Sequence, residues 1–70
     1  MIPARILIAD DDPDIRELLQ VYLHFESYEV IAACDGQQAL QHFITYHPDL
    51  VILDVMMPGM DGMEVCRRIR

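Results

Sequence analysis

The sequence contains no lysine, and its five arginines face twelve aspartates and glutamates, for a formal net charge of -7. A balance this acidic argues against nucleic acid or an anionic membrane as a direct partner of this segment, since both need basic side chains against phosphate. Cysteine is scarce. Cys34 and Cys66 are the two; they have no metal-ligand spacing and are too few for a disulfide framework. Reduced, buried thiols in a cytoplasmic protein are expected. The opening "MIPAR" lacks an apolar h-region, so no secretory signal is expected, and the apolar runs fall far short of the about 20 residues that span a membrane. No G-x-G-x-x-G or P-loop pattern, repeat, linker or low-complexity stretch occurs. Seventy residues allow one small domain with a marginal core, and an apolar content of 53% excludes disorder.

What is present alternates short apolar runs with helix-period stretches. Arg5–Ala9 reads as a strand covered on both faces. Asp12-Pro13 starts a helix with an acid cap and a proline at the first helical position. Within it Ile15, Leu18, Leu19 and Tyr22 form an i, i+3, i+4, i+7 stripe, which Val21, Leu23 and Phe25 widen. Ser27 closes that helix. Glu29–Ala33 is a second strand. Asp35 caps a second helix, with Gln38 placed to reach back, and Ala39, Leu40, Phe43 and Ile44 on one face. Pro48 stops it. Leu50–Leu53 is a third apolar strand ending at Asp54. "VMMPGMDG" is a loop with Pro58, Gly59 and Gly62 as breakers, and Asp61 with Glu64 opens a third helix. The order β-α-β-α-β-α with buried strands predicts a parallel sheet in an α/β layered fold.

The acids are concentrated where the first strand ends, at Asp10, Asp11, Asp12 and Asp14. Like charges so close disfavour one another's ionised forms. Sheets of this type place ligand sites beyond the carboxyl ends of their strands. If strands one and three are neighbours, Asp10, Asp11 and Asp54 meet at one rim. Helix capping accounts for Asp12 and Asp14. For Asp10 and Asp11 the residues alone leave two readings open: helix-dipole complement, or oxygen ligands for a hard cation such as Mg²⁺.

"ILIADDDPDI" followed by "PDLVILDVMMPGMDGMEVCRRIR" resembles the N-terminal part of a response-regulator receiver domain of two-component signalling. The similarity covers essentially the whole chain. It rests on an ordered set: an acidic pair closing strand one, a single Asp closing strand three, then M-P-G-M-D-G into a helix. The resemblance implies a flavodoxin-like fold, truncated here to three strands in the order 2-1-3 over residues 1–70, with the last two strands and helices outside it. It implies Asp54 as the phospho-acceptor, Asp11 as a direct Mg²⁺ ligand, Asp10 as an acid holding the metal through water, and Met56 as the donor of a backbone carbonyl. A sensor histidine kinase is the implied phosphate source, and the domain would accept phosphate without being a turnover enzyme. A carboxylate nucleophile and a charge-neutralising cation suit phosphoryl transfer.

Two other functions compete. The first is a half-receiver, inactive in phosphotransfer, that self-associates as a dimer or higher oligomer. The edge of strand three would be unpaired, and the first helix would leave Val21 and Phe25 uncovered. The family's lysine, its hydroxyl residue and the aromatic between them have no counterpart in residues 1–70. The second is an Asp-nucleophile phosphatase of the dehalogenase type, which expects an aspartate where Met56 stands. The remaining features have structural readings. The methionines fill gaps, His24, His42 and His47 lack ligand spacing, and Arg67, Arg68 and Arg70 end a helix.

Overall fold

The run RILIA forms strand β1 (Arg5–Ala9), and helix α1 (Pro13–Phe25), strand β2 (Glu29–Ala33), helix α2 (Gly36–Tyr46), strand β3 (Leu50–Leu53) and helix α3 (Gly62–Ile69) follow it. The computed structural model describes residues 3–57 and 59–70. Pro58, expected as a breaker, and the opening Met1 and Ile2 lie outside the described residues. All three strands have the bounds expected of them. Each helix starts one residue after an aspartate. The carboxylates of Asp12, Asp35 and Asp61 accept from the N–H groups of Asp14, Gln38 and Glu64 at 2.9, 2.8 and 2.9 Å, satisfying amides that have no partner inside the helix. Gln38 reaches one residue past the cap, its Oε1 accepting from Cys34 N–H at 2.8 Å. Glu64 does not reach back; it pairs instead with Arg67 and Arg68 at 3.0 and 3.3 Å.

The sheet is parallel, in the order β2-β1-β3. Because side chains alternate along a strand, β1 divides its residues between two cores. Ile6 and Ile8 pack with Leu19, Leu23, Val30 and Ala32 under α1. Leu7 and Ala9 pack with Ala33, Ala39, Met57 and Val65 under α2 and α3. The central strand alone is buried along most of its length, with Leu7 and Ile8 at 0% exposure.

Three expectations are corrected. The stripe of α1 is not centred on Ile15, Leu18 and Tyr22, which are exposed; Leu23 is buried and Leu19 packs beside it. Seven apolar residues on one helix leave its rotation undetermined, and a contact area limited to β1 and β2 selects an i, i+4 pair. Strand β3 is not covered on both faces. Val51 and Leu53 face the α2–α3 core, whereas Leu50 and Ile52 are 53% and 38% exposed. The thiols are free as expected, but Cys34 is exposed and Cys66 only half-buried. Of the methionines, Met57 fills the core and Met60 packs against it, while Met56 and Met63 are exposed. No helix among the described residues is long and apolar enough to cross a membrane.

Candidate functional site

The site follows from the pairing of β1 with β3. Their register sets Ala9 opposite Leu53, and the ladder runs one bond further, with Asp54 N–H donating to Ala9 O at 2.9 Å. On the other side Asp10 N–H donates to Ala33 O at 3.2 Å. The residues that leave the sheet next are therefore acids on adjacent strands. Carboxylate oxygens of Asp10, Asp11 and Asp54 lie within 4.8 Å of one another; Asp11 is exposed, and Asp10 and Asp54 are half-buried. Residues 44 positions apart in sequence meet because parallel strands begin and end together.

Local hydrogen bonds orient these acids. Asp10 Oδ1 accepts from Asp12 N–H at 2.9 Å, and its carbonyl accepts from Arg16 NH1 at 2.8 Å. Asp54 Oδ1 accepts from Met56 N–H at 3.1 Å, closing the turn after β3. Beyond that turn Gly62 N–H donates to Val55 O at 3.2 Å, and a Cβ at Gly62 would collide with the carbonyl oxygen of Asp54. Glycine at 62 lets the start of α3 press against the backbone that carries Asp54. Gly36 does the same at the start of α2, where a Cβ would meet the carbonyl oxygen of Met60.

The donor set fits a hard divalent cation. Mg²⁺ binds oxygen at about 2.1 Å, so two ligands on opposite sides of it are about 4.2 Å apart. Oxygens spread over no more than 4.8 Å need only small side-chain adjustments to converge. Asp12 and Asp14 stay outside the cluster, as capping predicts: Asp12 caps α1 and Asp14 lies in its first turn. Arg16, which sequence reasoning did not single out, is joined to the site. Its signal was its position in the first turn of the helix that follows the acids.

Comparison with known proteins agrees with this geometry. The Response regulator receiver domain family matches residues 6–70. Response regulator MprA of Mycolicibacterium vanbaalenii is 51% identical over 69 residues, covering 99% of this chain and 30% of that protein. Among solved structures, chemotaxis protein CheY4 of Vibrio cholerae superposes with a TM-score of 0.96 at 36% identity, covering 99% of this chain and 57% of that one. Response regulator TrrA of Thermotoga maritima, solved in complex with Mg²⁺-BeF, superposes with a TM-score of 0.92 at 51% identity, covering 96% of this chain and 58% of that one. The chain thus spans about a third of its curated relative and somewhat over half of these solved receivers. With the fold, the strand order and the acids at the strand ends in agreement, the chain belongs to the response regulator receiver domain family.

Proposed function

We propose that the chain is a phospho-accepting receiver module that takes a phosphoryl group from a histidine kinase onto Asp54. The observation that carries this reading is the convergence of Asp10, Asp11 and Asp54 within 4.8 Å at the ends of adjacent parallel strands. Asp10, Asp11, Asp54 and the Met56 carbonyl would hold Mg²⁺, which supplies charge neutralisation for an incoming phosphoryl group. That TrrA holds Mg²⁺-BeF at 51% identity supports this assignment. Asp54 supplies the nucleophile. A carboxylate oxygen attacks phosphorus as the bond from phosphorus to the donor imidazole nitrogen breaks, the electron pair staying on nitrogen. The Met56 amide on Asp54 Oδ1 limits rotation of the carboxylate. One phosphoryl group per chain is accepted, with no turnover, and an open rim with an exposed Asp11 suits a donor carried on another protein in the cytoplasm. The net charge of -7 disfavours nucleic acid and anionic membranes as partners of this segment.

The test is intact-mass analysis after treatment with Mg²⁺ and acetyl phosphate. A single added phosphoryl group, lost in Asp54→Asn, supports the reading; labelling that survives Asp54→Asn refutes it.

A second reading, self-association of the 70-residue chain, draws on a specific observation. Leu50 and Ile52 of β3 and Leu18, Val21, Tyr22 and Phe25 of α1 are exposed, Phe25 at 84%. A strand edge that is unpaired among the described residues and an exposed apolar helix face each favour pairing with a second copy, most commonly with two-fold symmetry. Sedimentation equilibrium at high micromolar concentration should find a dimer or larger; a monomer refutes it.

A further inference from the structure

Of the five arginines, one is at the acidic rim. Arg5 lies at the opposite end of β1, held by Glu29 at 2.9 Å and the Tyr46 carbonyl at 2.7 Å. Arg67 and Arg68 pair with Glu64 in α3, and Arg70 caps that helix. Arg16 is different. It lies in the first turn of α1, its backbone N–H makes the helix's bond to Asp12 O at 3.0 Å, and its half-buried side chain turns back so that NH1 donates to Asp10 O at 2.8 Å. That bond does not neutralise a carboxylate. It holds the carbonyl of the peptide unit joining Asp10 to Asp11. A peptide unit is planar, so fixing its oxygen fixes the direction in which the chain leaves toward the Asp11 side chain. Asp10 N–H on Ala33 and Asp10 Oδ1 on Asp12 N–H hold the preceding residue, and Arg16 completes the set.

We infer that Arg16 is a positioning residue for the cation site, locking the Asp10–Asp11 peptide plane so that the Asp11 carboxylate faces the ion before it binds. The inference rests on the reading of the rim as a divalent-cation site. Pre-set ligands bind more tightly, because ordering is not left to the binding event, and partners that orient metal ligands are commonly worth about 10–100-fold in affinity. The sign separates this role from a bare electrostatic one. A positive charge beside a cation site opposes binding, so if charge were all that mattered, removing it would tighten binding.

The experiment is calorimetric titration of the 70-residue chain with Mg²⁺, with circular dichroism to confirm folding. Arg16→Met keeps the apolar stem and removes the donors; it should weaken Mg²⁺ binding about tenfold. Arg16→Lys should recover most of that loss, since the contact uses one donor. In the metal-free chain the Asp11 amide resonance, which reports the same peptide unit, should move in Arg16→Met and return toward the parent position in Arg16→Lys. Unchanged or tighter binding in Arg16→Met overturns the inference, as does a lysine variant no better than the methionine one. A parent chain that binds no Mg²⁺ overturns the cation reading and this inference with it. A parent that binds while the Arg16 variants bind equally well overturns only the role of Arg16.

Discussion

Replacing Asp54 by Asn should stabilise the metal-free protein, although it removes the proposed phospho-acceptor. Asp10 and Asp11 are neighbours in any state of the chain, but Asp54 meets them only on folding. Its repulsion therefore acts against the native state and is nearly absent from the unfolded one. One oxygen from each of the three carboxylates lies within 4.8 Å of the others; unit charges at that limit repel by about 0.9 kcal/mol at the dielectric of water, so neutralising Asp54 relieves two pairs, or about 1.7 kcal/mol. Side-chain rotation and the exposure of Asp11 reduce this, and we expect about 1–1.5 kcal/mol. Asn keeps an Oδ1 acceptor for the Met56 amide, so the turn after β3 is retained. In a domain this small each kcal/mol moves the melting temperature by about 4–8 °C. Thermal denaturation in EDTA should place Asp54→Asn about 5–10 °C above the parent. At ten times its dissociation constant Mg²⁺ adds about 1.4 kcal/mol to the parent and little to the variant, so the gap should close. Concentrated salt should narrow it as well, because the screening length falls to about 3 Å at 1 M. The reasoning is refuted if the variant is no more stable than the parent in EDTA, or if Mg²⁺ raises both melting temperatures equally.

Two further predictions concern the backbone around the site. Gly62→Ala should lose about 1–3 kcal/mol by overpacking against the Asp54 carbonyl and should weaken Mg²⁺ binding; since alanine is the better helix former by about 1 kcal/mol, a gain in chemical-denaturation stability would show that the close approach carries no strain. Ser27 sits in the left-handed region at φ 70, with its N–H on His24 O at 2.9 Å and the Tyr28 N–H on Leu23 O at 3.0 Å, the bond pair that a glycine commonly closes. Ser27→Gly should gain about 0.5–1 kcal/mol, the left-handed penalty of about 1–2 less the greater unfolded freedom of glycine, visible as a higher urea midpoint with an unchanged slope.

The local elements were determined by the sequence itself. Three aspartates mark three helix starts because a carboxylate before a helix answers amides that nothing else can, and Pro13 and Pro48 delimit helices because proline cannot serve inside one. Strand bounds were legible in the same way, from apolar runs cut by charge or turn residues. The acids' position at strand ends was readable too, but their meeting was conditional on which strands pair. Tertiary structure decided that. The parallel register of β1 with β3 brings Asp54 beside Asp10 and Asp11, and no local preference encodes a pairing between residues so far apart. It also decided that α1 turns Leu19 and Leu23 inward, because an oversized apolar stripe fits a two-strand platform in several rotations. Only packing shows that Leu50 and Ile52 lie open, that Gly36 and Gly62 let two helix starts meet backbone, and that Arg16 bends back to hold the carbonyl of Asp10. Those features depend on where one element's atoms fall against another's. A one-dimensional pattern fixes the period of a surface but not which part of that surface is covered.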